Sequence, residues 1–198
     1  GRVLALLLDE SDVSIDGITV QNGISDSKGA GIRIETTGEI EITNNIVDSN
    51  LVSAHSPYGG GLYITGSATL SDNIISNNIA WTFESAQSTG KGGGIYISNT
   101  ATFTNNTIDN NSVSQSAQGG GAWVVGNAVF TNNTIINNTS GVGGSHGSSY
   151  GSEGGGIKVG GNAEFTGNII SGNTATHGAG LYIIGDSIFN NNIVSNNI

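Results

Sequence analysis

The hydrophobic positions of this chain come in short alternating runs, and the runs repeat. In residues 92–111, GGGIYISNTATFTNNTIDNN, Ile95 and Ile97 point one way and Tyr96 the other, as the two-residue period of an extended strand requires. Phe103 and Ile108 supply two further apolar positions, each followed three residues later by an asparagine. Near-copies of the second half begin at Glu41, Leu70, Phe130, Phe165 and Phe189. From the last leader glycine (Gly61, Gly94, Gly121, Gly156, Gly180) to Leu70, Phe103, Phe130, Phe165 and Phe189 the step is nine residues every time. Copies spaced roughly 25 to 35 residues apart are the signature of a repeat architecture.

Each copy offers an inward pair in its leader, such as Leu62/Ile64, Ile95/Ile97, Ile157/Val159 or Leu181/Ile183. It adds one inward residue at the Phe103 position and one at the Ile108 position, the latter matched by Val47, Ile75, Ile135, Ile170 and Val194. Strands this short cannot bury an apolar face alone. Copies must therefore stack, each strand pairing in parallel with its equivalent ~4.8 Å away. The expected fold is all-β: a single right-handed parallel β-helix of about seven coils over residues 1–198, its hand set by strand twist.

Asparagine favours turns over strands, so its abundance needs a reason. Asn45, Asn73, Asn106, Asn133, Asn168 and Asn192 fall in one column, and Asn50, Asn78, Asn111, Asn138, Asn173 and Asn197 in a second. Stacked amides can each donate to one neighbour and accept from the other. Both columns are expected to be ladders at bends, tolerating left-handed backbone there. The N-x-Ser/Thr matches at Asn105, Asn132 and Asn137 then read as by-products of the ladder rather than glycan sites. The first coil departs from the pattern, with Ile15 and Ile18 where asparagine would be expected nearby.

Between the second asparagine column and the next glycine leader the length varies, with long excursions at residues 79–91 and 139–153. Insertions in a solenoid gather on one face, often the binding face. The outward position at the centre of the leader strand carries Arg33, Tyr63, Tyr96, Trp123, Lys158 and Tyr182. Four aromatics facing solvent in one column form a stripe suited to sugar rings or another protein, unless loops fold over it.

Composition narrows the partners. With 15 acidic and 5 basic residues, the net charge of −10 argues against nucleic acid, whose affinity comes from Lys and Arg. There is no cysteine, so no disulfide framework or thiolate metal site. The longest apolar run, residues 3–8, is far short of the ~20 residues of a membrane span. No Met stands at position 1 and no signal peptide is visible, which points to a processed chain or a piece of a longer one. The chain stops in mid-coil at NNIVSNNI; either a longer parent continues the solenoid, or subunits meet end to end in filaments.

The GGG or GAG leader followed by an aliphatic, with F-x-x-N shortly after, is similar to the GGA-I and F-x-x-N repeats of polymorphic outer-membrane autotransporter passengers. More broadly it resembles right-handed parallel β-helix repeat proteins of microbial surfaces, over residues 11–198. That resemblance implies a surface adhesin. β-Helices also include enzymes that cut acidic polysaccharides, which need clustered carboxylates with a proton-abstracting Arg or Lys, or a carboxylate pair. Arg2 and Arg33 are the only arginines; Asp48 and Asp109 share a coil position two coils apart; Glu39 and Glu41 share a strand face; and Asp9, Glu10 and Asp12 cluster near the start. A solvated acidic surface is the simpler account. His55, His146 and His177 fall in the variable segments without a recognisable further ligand set. The expectation is a non-enzymatic extracellular surface protein, adhesin or stalk, without cofactor, binding a glycan or protein through the outward stripe. A polysaccharide lyase or hydrolase is the alternative.

Overall fold

A computed structural model describes residues 1–82, 89–114, 117–142 and 151–198. The described residues form strands and turns, with no helix. Three seven-stranded parallel sheets run the length of the stack, each coil contributing one strand to each, and a five-stranded fourth accompanies the first five coils. The leader sheet comprises Leu4–Leu7, Ile32–Glu35, Leu62–Thr65, Ile95–Ile97, Ala122–Val124, Ile157–Val159 and Leu181–Ile183. The second comprises Val13–Asp16, Ile40–Thr43, Ala68–Ser71, Ala101–Thr104, Ala128–Thr131, Ala163–Thr166 and Ser187–Asn190. The third runs from Thr19–Gln21 through Thr107–Asp109 to Ile193–Ser195.

The fourth sheet was not anticipated. Leu51–Ala54, Ile79–Thr82, Ser112–Ser114 and Thr139–Val142 pair in parallel inside what sequence treats as the start of the variable segment, with Ile24–Ser25 at the edge. Its inward residues are small and mixed, Val52, Ala54, Ala80, Thr82, Val113 and Ser140, so no aliphatic alternation advertises it. Length variation is absorbed after this sheet. Successive ladder asparagines lie 28, 33, 27, 35 and 24 residues apart, yet stay in register.

The core is a column for each inward position. Phe103, Phe130, Phe165 and Phe189 occupy one register position and stack nearly parallel, with ring centroids 4.6, 4.7 and 5.1 Å apart. The first three are fully buried. Ile75, Ile108, Ile135 and Ile170 form the matching column on the third sheet.

Both asparagine ladders form. The Asn106 Nδ2 donates to Asn133 Oδ1 in the next coil (3.1 Å) and to the Leu70 carbonyl in the coil before (2.9 Å). Its Oδ1 accepts from both the backbone N–H and the Nδ2 of Asn73. The Asn111 column repeats this arrangement. In the first coil Ile18 and Gly23 stand in the ladder positions and donate only their backbone N–H to Asn45 and Asn50.

One expectation about these bends is corrected. Left-handed backbone belongs to the residue before each ladder asparagine: Asn105 (φ 56°), Asn110 (φ 53°), Asn132 and Asn137 (both φ 55°). Asn106 and Asn111 are absent from the positive-φ positions. The bend thus divides its labour. An exposed Asn, Asp, Ser or Gly turns the chain, because these residues reach the left-handed region most cheaply, and the next asparagine satisfies the buried polar groups. The glycine leader makes the other tight corner. Gly92 has φ 65°, and a Cβ on Gly93 would lie 2.3 Å from the Gly120 carbonyl oxygen and 2.4 Å from that of Ser112.

Candidate functional site

Register places Arg33, Tyr63, Tyr96, Trp123, Lys158 and Tyr182 in one unbroken outward column on the leader sheet. The column forms as anticipated, but its exposure does not. Tyr63, Trp123 and Lys158 are only 5, 8 and 3% exposed, while Arg33, Tyr96 and Tyr182 are half-buried. A second column lies beside it. Lys28, Tyr58, Lys91, Gln118, Glu153 and His177 bridge in parallel, coil to coil, each immediately before the left-handed glycine that opens the leader. Sequence reading weighed His177 only as a metal ligand and did not see these six as a column, because they end segments of variable length. Their fixed place next to the glycine was the available signal.

The two columns interlock. Tyr63 and Tyr96 stack face to face (5.3 Å, 6° between planes), and Tyr58 meets both edge-on at 6.4 and 5.0 Å. The Lys28 ammonium lies 4.8 Å from the Tyr63 ring centre and donates a hydrogen bond to the Tyr63 hydroxyl (3.0 Å). Lys91 sits between the Tyr58 and Trp123 rings, at 5.3 and 5.1 Å. Lys158 is held over Trp123 at 4.0 Å and 5.1 Å from the Tyr182 ring, and is ion-paired to Glu153. Cations over ring faces are attracted by the ring quadrupole, more so when desolvated. The Trp123 Nε1 is buried without a hydrogen-bond partner among the described residues, and the indole's contacts with Lys91 and Lys158 are made through its ring.

Electrostatics follow from burial. Desolvation, with Tyr63 and Tyr58 adding to it, pushes the Tyr96 phenol up to about 12, so it remains a neutral donor across ordinary pH. Burial lowers the Lys158 ammonium, and Glu153 partly restores it. The Glu153 charge raises the Tyr182 phenol. Arg33 pairs with Glu35 at 2.6 Å, and the Arg2 guanidinium donates to the Lys28 and Gly29 carbonyls at the same corner. All five basic residues of the chain, Arg2, Lys28, Arg33, Lys91 and Lys158, therefore sit along one edge.

The acidic candidates read differently. Asp48 and Asp109 do share a register position with Ser76 between them. Burial would raise the Asp48 carboxyl, but hydrogen bonds from Asn77, Ser76 and Ser49 outweigh it and hold the group below the usual range. That is a structural role at a bend. Asp9, Glu35, Glu39 and Glu41 line an open groove of about 1000 Å³ where the leader sheet turns into the second, together with Thr65 and Asn99. Asp12 accepts the Glu39 backbone N–H. Among the described residues no group of His, Asp and Glu could hold a metal ion. His55 and His177 are exposed, and His146 lies outside the described residues.

With four parallel sheets, asparagine ladders and a stacked core on record, comparison with known proteins names the architecture. A family model described as right handed beta helix region matches residues 5–198. The chain belongs to that family. The right-handed β-helix region thus covers nearly the whole sequence, including both columns of the cation–aromatic edge. No curated protein and no solved structure matches the chain.

Proposed function

We propose that this β-helix is a non-catalytic extracellular surface protein, an adhesin or stalk, that holds a glycan or protein ligand on its cation–aromatic edge. The observation that carries the reading is the concentration of every basic residue, with Tyr58, Tyr63, Tyr96, Trp123 and Tyr182, on one edge of an acidic solenoid. The two asparagine columns, by contrast, are engaged in ladders that hold the fold together. An edge rich in aromatic and cationic side chains on a rigid scaffold has the composition of an interface centre. Ligand contact is assigned to the half-exposed members, Lys28, Tyr58, Lys91 and Tyr96, and support to the buried Tyr63, Trp123 and Lys158. The resemblance to surface passengers agrees with an extracellular setting.

Binding to glycan and surface-protein arrays tests the reading. Tyr58→Ala and Tyr96→Ala should weaken attachment while the protein stays folded by circular dichroism. The carboxylate-lined groove favours one competing reading, a polysaccharide hydrolase. Turnover of pectin, alginate or chondroitin that Glu39→Gln or Glu41→Gln abolishes would replace the first reading with the second.

A further inference from the structure

The charge pattern of the edge specifies a ligand class, an inference that rests on the surface-binding reading above. We infer that the edge binds a linear anionic polysaccharide lying along the solenoid axis, with Lys28 and Lys91 making the charge contacts.

Three observations converge on this. The first is segregation: a chain of net charge −10 gathers all of its cations in one strip. Even with Glu35 and Glu153 ion-paired inside it, the strip is locally positive on an acidic body, and that is selective for an anion that can approach from that side alone.

The second is how the rings are used. The faces of Tyr63 and Tyr96 are turned toward each other, and Trp123 is faced by Lys158 and Lys91. The edge therefore does not offer these faces as stacking platforms for neutral sugars. It offers ammonium groups and phenol hydroxyls, which are donors. Glu153 neutralises Lys158 and Glu35 neutralises Arg33, whereas Lys28 and Lys91 carry no ion pair among the described residues.

The third is spacing. Lys28, Tyr58 and Lys91 occupy consecutive bridge positions, so the backbones of the two lysines are two coil steps apart, roughly 10 Å at the strand spacing. Tyr58 lies between them, within 5.4 Å of Lys28 and 5.3 Å of Lys91. A straight, rigid row with donors at regular intervals matches a linear polymer that carries sparse charges and many hydroxyls. Nucleic acid needs a denser field of cations than two.

The test uses the whole chain against immobilised polymers: polygalacturonate and hyaluronan for carboxylates, heparin and dextran sulfate for sulfates, dextran as the neutral control, and polyglutamate and single-stranded DNA as other polyanions. Binding in the carboxylate or the sulfate arm supports the inference and identifies the anionic group. Lys28→Gln and Lys91→Gln should each weaken it about three- to tenfold and flatten its salt dependence, in protein that stays folded by circular dichroism. Lys91→Glu should remove it. Binding to dextran that ignores both lysine variants would overturn the anionic ligand while leaving the surface-binding reading intact. Equal or better binding of polyglutamate or DNA overturns the polysaccharide assignment. Silence in every arm here and on the protein arrays overturns both.

Discussion

Removing one amide from the middle of a ladder is the sharpest probe of how this solenoid is held together. Asn106 is 1% exposed, and its Oδ1 accepts the Asn73 backbone N–H at 3.0 Å and the Asn73 Nδ2 at 2.9 Å. Asn106→Ala strands both donors inside the stack, and the Leu70 carbonyl and Asn133 Oδ1 each lose a donor. At about 1–3 kcal/mol for each orphaned buried group, the two stranded donors alone cost about 2–6 kcal/mol. The neighbouring residue supplies the control. Asn105 is exposed and its side chain is bonded only to Asp72 among the described residues, but its φ of 56° makes alanine there cost about 1–2 kcal/mol. Asn105→Gly accepts that φ freely and should cost less than Asn105→Ala, reduced only by glycine's greater freedom when unfolded.

Urea denaturation followed by far-UV circular dichroism orders the three variants. The expected sequence is Asn106→Ala most destabilised, Asn105→Ala second and Asn105→Gly least, with the slope of the transition unchanged. Equal losses for Asn106→Ala and Asn105→Ala would refute the division of labour at the bend. A cost below about 1 kcal/mol for Asn106→Ala would show that water replaces the ladder without penalty.

Phe130 is stacked between Phe103 and Phe165 and fully buried, so Phe130→Ala should cost about 3–5 kcal/mol in the same assay, and Phe130→Leu clearly less. Gly93→Ala should fail to give soluble folded protein, because the new Cβ meets two backbone carbonyl oxygens at 2.3 and 2.4 Å and backbone cannot yield as a side chain would. The raised Tyr96 phenol ties stability to alkaline pH: the native state keeps a proton that the unfolded chain releases above about 10, so stability is full below that value and declines as pH rises toward about 12. Phenolate absorbance should reveal one tyrosine titrating near 12, and Tyr96→Phe should remove that transition and lessen the alkaline loss.

Much of this architecture is written in the sequence as repetition. A constant nine-residue step fixes two of the bends of each coil, and the register pairs Leu70, Phe103, Phe130, Phe165 and Phe189 as that step demands. The ladders were legible for the same reason, since a buried amide column requires the same residue at the same place in every coil. The fourth sheet was not, because segments such as Thr139–Val142 carry TSGV, which has no apolar alternation and a glycine in its interior. Those strands form because their neighbours along the axis supply hydrogen-bonding edges, so tertiary context overrides a weak local preference. Which of two adjacent asparagines turns the chain was equally hidden, as the residue type suits both tasks.

The candidate site divides along the same line. Repetition reports what lies above and below a residue in the stack, so the Arg33 to Tyr182 column was readable as a column. It does not report what lies beside it around the coil, because that depends on the direction in which a left-handed glycine sends the chain. Gly59, Gly92, Gly119 and Gly154 turn the preceding residue back toward the leader strand, bringing Tyr58 against Tyr63 and Tyr96 and Lys91 against Trp123. The aromatic stripe that sequence presents as open is therefore half closed by its own corner. Closure changes its chemistry: rings that would have been sugar platforms become counter-surfaces for ammonium groups, and what remains facing outward is charge and hydroxyl. If the edge binds as proposed, it would discriminate by electrostatics and spacing along the axis, and both are set by the coil repeat that sets the fold.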